Sequence, residues 1–229
     1  MKQKIFLLHG WTYSTEKWAP FVDLLKQKES EPVMLEIPGL TAPLDEVWTV
    51  DNYVEWLKKI VDNEKEKVLL LGHSNGGRIS MAFALKYPEK VSKLILIDSA
   101  GIYHNELSLR LKRFVFGTLA KAGKKIKNIQ AIRSIFYRFV REHDYEKANP
   151  KLRETMKNLI TSDLSASLEK ITVPTLIIWG EQDKITPLTD GKLMHELIKN
   201  SLFHVVKDAR HSPQLTHPKE VVKHIYDSF

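Results

Sequence analysis

Short apolar runs rich in β-branched residues alternate along the chain with stretches whose apolar positions recur at helical spacing. The runs are Ile5–Leu8, Val33–Ile37, Val68–Leu71, Leu94–Ile97, Thr175–Trp179 and Phe203–Val206. Most are continuously apolar, which predicts strands covered on both faces. Helical periodicity predicts helices at Glu16–Gln27, Val50–Asn63, Asn75–Tyr87, Thr189–Lys199 and Gln214–Ser228. Strand alternating with helix requires βαβ crossovers, so the expected fold class is α/β, a mostly parallel sheet of about six strands flanked by helices.

The alternation breaks once, over residues 101–168. Leu107, Leu111, Phe114, Thr118 and Leu119 form one helical stripe, and Ile129, Ile132, Phe136, Phe139 and Val140 form another. A further helix is expected to open at Asn149-Pro150, where Asn can cap and Pro suits the first turn, with Leu152, Met156 and Leu159 facing inward. The expected organisation is a core of residues 1–100 and 169–229 interrupted by a helical lid, 101–168.

Composition narrows the chemistry. The 229 residues contain no cysteine, which removes disulfides, thiolate metal sites and a cysteine nucleophile together and fits a reducing compartment. No apolar run approaches the ~20 residues of a membrane span, and the apolar stretch near the start is too short for a signal peptide, so a cytoplasmic protein with no transmembrane segment is expected. The net charge of +7 is local: eleven basic residues stand against four acidic ones between Glu106 and Lys147, and the rest of the chain balances. Charge concentrated on the expected lid raises the question of an anionic substrate, an acidic carrier protein or an anionic membrane surface, beside the plain reading of a solvated face. Nucleic acid is disfavoured, because no recognition motif accompanies the charge and the aromatic residues there are needed as lid core.

The most informative segment is Val68-Leu69-Leu70-Leu71-Gly72-His73-Ser74-Asn75-Gly76-Gly77, a strand running into a helix through Gly-x-Ser-x-Gly. A serine hydroxyl attacks only if a base takes its proton and the geometry is set beforehand. A sharp strand-to-helix turn meets the second need, lifting Ser74 to a helix N-terminus, and it demands small residues at 72 and 76 where backbones crowd. The pattern fits neither a P-loop nor a dinucleotide fingerprint, and His195-Glu196 lacks the second histidine of a metalloprotease motif, so no cofactor and no metal are implied.

On these residues the chain resembles the α/β-hydrolases, whose nucleophile, acid and base follow in that order. The resemblance runs from about Lys4 to Phe229 and treats the lid only as a helical insertion at the usual place. It implies His211, in the polar loop Asp208-Ala209-Arg210-His211-Ser212-Pro213, as the base. Arg210 departs from the small residue the family usually has there. The implied acid is Asp183, in the loop after Thr175–Trp179, while Asp98 at the end of Leu94–Ile97 stays open as the alternative. His9-Gly10-Trp11 resembles the family's His-Gly-x turn, which implies an oxyanion hole from the backbone N–H groups of Trp11 and Asn75, with Trp11 also walling the substrate pocket. Tyr13 and Trp18 are equally core or pocket. The antiparallel hairpin that often precedes the His-Gly strand is expected to be shortened or absent.

The expected activity is therefore that of a serine hydrolase, a carboxylesterase, acting on a small-molecule ester or related acyl substrate. A C–C bond hydrolase of β-diketone type shares the same residues, and a non-catalytic binding protein engaging an anionic partner through the lid belongs to a different class.

Overall fold

A computed structural model describes residues 3–28, 30–103 and 150–228. Six strands are described: β1 (Gln3–Leu8), β2 (Ser30–Met34), β3 (Val68–His73), β4 (Val91–Ile97), β5 (Thr175–Gly180) and β6 (Ser201–Val206). All neighbouring pairs are parallel, in the order β2-β1-β3-β4-β5-β6. The helices are α1 (Ala19–Gln27), α2 (Val50–Val61), α3 (Asn75–Lys86), α4 (Pro150–Thr161), α5 (Leu188–Leu197), α6 (Pro213–Thr216) and α7 (Pro218–Asp227).

The continuous apolar runs are explained by burial on both faces. Phe6, Leu8, Leu70, Leu96 and Ile177 join Tyr53, Leu57, Ile79 and Phe83 of α2 and α3 on one side. Ile5, Leu7, Leu69, Leu71, Ile95 and Ile178 meet Phe21, Leu25, Val221 and Ile225 of α1 and α7 on the other. Parallel pairing brings the carboxyl ends of β3, β4 and β5 to one edge, with His73 paired to Ile97 and Ile97 to Ile178. The candidate site residues Ser74, Asp183 and His211 follow the strand ends at this edge.

Two expectations are corrected, and the surroundings of a third element are defined. The second strand lies three residues earlier than its apolar run, at Ser30–Met34. It is an edge strand, so Pro32 and Glu31 are tolerated there, and Leu35 and Ile37 are buried beyond its end. The last helix is broken in two, because Pro218 cannot continue α6 and instead opens α7. Helix α4, expected within the lid, belongs to the unit that carries the sheet. Its Leu152, Met156 and Leu159 are buried, Trp48 N–H donates to Thr155 Oγ1 at 2.9 Å, and Asn158 Nδ2 donates to Trp48 O at 3.1 Å.

That unit comprises Met1–Ile102 and Asn149–Phe229, and Tyr103–Ala148 separate from it as a second unit. The two stripes expected between Leu107 and Val140, the lid histidines His104 and His143, and the basic surplus lie outside the described residues. Among the described residues, no helix is long and apolar enough to cross a membrane.

Candidate active site

The turn from β3 to α3 holds Ser74 at φ 53°, ψ −118°, a backbone conformation that non-glycine residues rarely adopt. The surroundings enforce it. Ser74 N–H donates to Ile97 O at 3.1 Å, and Ser74 O accepts from Gly77 N at 3.0 Å and Ala100 N at 2.9 Å. The crowding expected at 72 and 76 is present: a Cβ on Gly72 would stand 2.5 Å from Gly77 Cα, and one on Gly76 only 2.0 Å from Leu8 O. Helix α3 therefore presses directly on the end of β1, where the His9-Gly10-Trp11 turn begins.

The loops after β5 and β6 bring Asp183 and His211 to the same place. They are zipped together, Gln182 N–H donating to Ala209 O at 2.8 Å and Asp208 N–H to Glu181 Oε2 at 3.1 Å. Glu181 is thus occupied as a loop tie. His211 Nε2 lies 3.0 Å from Ser74 Oγ, and Nδ1 lies 2.8 Å from Asp183 Oδ2. Because the carboxylate only accepts, Nδ1 carries the ring proton and Nε2 is left to accept from the serine hydroxyl. The Asp183 carboxylate is fully buried and further held by Ile185 N–H at 2.8 Å and Thr186 Oγ1 at 2.7 Å. A hydroxyl, an imidazole and a buried carboxylate in this order can transfer a proton from the hydroxyl while stabilising the imidazolium that forms.

Around this relay, His9 is fully buried. Its Nδ1 donates to Gly10 O at 2.8 Å, and its Nε2 is 3.0 Å from Thr41 Oγ1. Burial lowers its pKa, so it is a neutral tie holding the turn. Neither Trp11 N–H nor Asn75 N–H enters a loop or turn hydrogen bond among the described residues, and Trp11 Nε1 is buried without a partner. Trp18 is core, edge-on to His73 with ring centroids 5.9 Å apart, whereas Tyr13 and Arg210 are exposed. His195 and His217 make their contacts with Ser201 and Thr216, away from the relay, and His224 stacks on His204.

Two neighbours of the relay carried no sequence signal of their own. His73 Nε2 donates to His211 O at 3.3 Å, pinning the loop that carries His211, and burial pushes its pKa well below the usual value, so it is uncharged. The Thr186 hydroxyl touches Asp183 Oδ2, Asp98 O and His211 Nδ1, the last two at 3.1 and 3.2 Å. Asp98, the alternative acid, is fully buried beside the pair, and Gly180 N–H donates to its Oδ1 at 2.7 Å. Among the described residues, one grouping has the donor types of a metal site, His73, Asp98 and His211, with one atom from each within 4.8 Å of the others. Both ring nitrogens of His211 are committed to Asp183 and Ser74, so the arrangement is that of a hydrogen-bonded relay.

The fold agrees with the comparisons. The sequence profile of the alpha/beta hydrolase family matches residues 5–224, and the chain belongs to that family. It is 27% identical, over 93% of its length and 89% of the relative's, to a pimeloyl-[acyl-carrier protein] methyl ester esterase of Legionella pneumophila. It is 28% identical, over 94% of its length and 83% of the relative's, to a 2-hydroxy-6-oxononadienedioate/2-hydroxy-6-oxononatrienedioate hydrolase of Escherichia coli. An alpha/beta hydrolase from a lagoon-sediment metagenome of Mar Chica, Morocco shares the fold, with a TM-score of 0.74 and 22% identity over 99% of this chain and 90% of that one. The chain is thus an enzyme of the hydrolase class.

Proposed function

We propose that the chain is a serine carboxylesterase that cleaves small esters through an acyl-enzyme on Ser74. The observation that carries this reading is the relay: Ser74 Oγ 3.0 Å from His211 Nε2, and His211 Nδ1 2.8 Å from a buried Asp183. In the reaction Ser74 Oγ attacks the ester carbonyl as His211 takes its proton. Asp183 holds the imidazolium, and the main-chain N–H groups of Trp11 and Asn75 receive the charge developing on the carbonyl oxygen. The alcohol leaves with the proton from His211, and water, activated by the same imidazole, releases the acid. Trp11, at the turn after β1, forms a wall for the acyl group. No metal or organic cofactor takes part in these steps, and the proposed site of action is the cytoplasm, which cell fractionation tests.

The basic segment between Glu106 and Lys147 is assigned to selecting an anionic ester or an acyl group on an acidic carrier. Its surplus of charge and the Legionella relative, named as an esterase of a carrier-linked acyl ester, support this. If kcat/KM for anionic and neutral esters responds identically to added salt, the segment does not select charge.

The decisive experiment is Ser74→Ala with p-nitrophenyl acetate and a fluorophosphonate probe. Hydrolysis and labelling are expected to disappear from a protein with an unchanged circular-dichroism spectrum, and undiminished hydrolysis would overturn the reading. The Escherichia coli relative favours one alternative reaction on the same residues, C–C cleavage of a β-diketone-like substrate. Turnover of such a diketone with no ester hydrolysis would select it.

A further inference from the structure

At the carboxyl end of β4 the backbone enters the left-handed region at Asp98, φ 42°. Two of the three non-glycine residues with positive φ among the described residues, Ser74 and Asp98, thus stand at the ends of adjacent strands. An aspartate held there has a local reason. Asp98 N–H donates to Ile178 O at 3.0 Å, continuing the pairing of β4 with β5, and the turn directs the side chain inward, where it is fully buried. Oδ1 accepts from Gly180 N–H at 2.7 Å, but Oδ2 is buried with no hydrogen-bond partner. A carboxyl oxygen left unpaired in the interior is destabilising, so its retention calls for an explanation.

The surroundings supply one. An Asp98 carboxylate oxygen, a His211 ring nitrogen and a His73 ring nitrogen lie within 4.8 Å of one another. The main-chain oxygen of Asp98 accepts from Thr186 Oγ1, the hydroxyl that also touches Asp183 Oδ2 and His211 Nδ1. One imidazole is therefore flanked by two carboxyl groups, from β4 and from the loop after β5, joined through one threonine. We propose that Asp98 is a reserve acid for His211, standing beside Asp183 and able to compensate the imidazolium when Asp183 cannot.

The groups facing Asp98 are Asp183, His211 and His73. Burial, and then the charge of Asp183, push its carboxyl pKa well up, so while Asp183 is ionised Asp98 keeps its proton and the site carries a single negative charge. Removal of the Asp183 charge takes away the repulsion. Asp98 then releases its proton to solvent as pH rises, and the resulting carboxylate pairs with the imidazolium formed when Ser74 gives its proton to His211. Asp98 is in this sense a positioning residue, acting through His211 rather than on the substrate.

The inference rests on the relay reading, and four variants assayed with p-nitrophenyl acetate separate the two: Ser74→Ala, Asp183→Asn, Asp98→Asn, and the Asp183→Asn/Asp98→Asn double variant. Loss of the triad acid elsewhere costs about 10⁴-fold in kcat. Here Asp183→Asn is expected to keep at least about tenfold more activity than the double variant, and to gain activity with pH through one ionisation that the double variant lacks. Asp98→Asn alone, which retains an oxygen for Gly180 N–H, is expected to lose much less activity than Asp183→Asn at pH 7–8. Equal activities of Asp183→Asn and the double variant would overturn the proposal. So would a loss in Asp98→Asn as large as that in Asp183→Asn. If the double variant does not fold, the pH profile of Asp183→Asn decides alone, a profile without the added ionisation counting against Asp98. Undiminished activity in Ser74→Ala would instead remove the relay reading.

Discussion

The close approach of α3 to β1 makes Gly76→Ala a demanding test of how the site is set. The added Cβ would stand 2.0 Å from Leu8 O, 2.5 Å from Leu8 C and 2.7 Å from His9 O, all backbone atoms that cannot rotate away. Since ordinary contact begins at 3.4 Å, the helix and strand must part by about 1.4 Å, and overpacking of this kind costs about 1–3 kcal/mol. The same displacement moves Ser74 and Asn75, which lead α3, away from the Gly10-Trp11 turn that follows β1. A misplacement of ~1 Å is enough to cost about 10²-fold in rate. The expected result is a folded protein with a lower urea midpoint and kcat/KM for p-nitrophenyl acetate reduced by about two orders of magnitude, and with slowed fluorophosphonate labelling. A variant that keeps kcat/KM within threefold while losing the stability would refute the reasoning, because the glycine would then serve packing alone.

Two further outcomes follow from the surroundings of the relay. Thr186→Val removes the hydroxyl bonded to Asp183 Oδ2 at 2.7 Å and also close to His211 Nδ1. A hydrogen bond to a charged group contributes about 1.5–3 kcal/mol, so kcat is expected to fall by about tenfold or more with KM little changed, and an unaltered kcat would show that Asp183 is held without it. Stability should also fall on acidification. His9 and His73 are kept neutral by burial, so their contribution is complete above pH ~6.5 and is lost below it, as the unfolded chain takes up protons that the native imidazoles refuse. Asp98 opposes them: its carboxyl is raised, so its contribution is complete below pH ~4 and declines as pH rises toward its folded pKa. His204, whose pKa burial also lowers, acts in the same direction as the two buried imidazoles, so the net expectation is a loss of stability on acidification. Urea denaturation between pH 6.5 and 5 measures it, and a flat profile would contradict the burial argument.

Much of this architecture was legible in the chain because double-sided burial leaves uninterrupted apolar runs, and five of the six runs coincide with strands. The exception shows the limit of that signal. At an edge, pairing rather than apolarity decides where a strand lies, so Glu31 and Pro32 fall inside β2 while Leu35 and Ile37 do not. The Gly-x-Ser-x-Gly turn was legible because steric crowding restricts its residues so severely. Asp183 and His211 were legible mainly through the order of the family's motifs, and their meeting depends on the zipping of two loops by main-chain bonds that any residues would make. Thr186 and His73 left no mark in the pattern, since a threonine in a loop and a histidine ending a strand acquire their partners only when the sheet closes. Asp98 was legible as a rival to Asp183, and the structure puts both at the same imidazole. Helix α4 was legible from its amphipathic stripe, which announces an apolar partner without saying which.

The parallel sheet gives the relay one more property. Ser74 follows the third strand, Asp183 the fifth and His211 the sixth, and each hydrogen bond between them spans more than a hundred residues or joins loops that only the last strand pairing brings together. The serine turn rests on β3, β4 and the end of β1, whereas the imidazole comes from the loop after β6, which pairs only with β5. Fluorophosphonate reactivity is therefore expected to return during refolding only once β6 has paired with β5, and labelling that precedes this pairing would contradict the proposed relay. A single hydroxyl and its imidazole thus depend on two distant pairings of one sheet, so reactivity at Ser74 is expected to report on the completeness of that sheet.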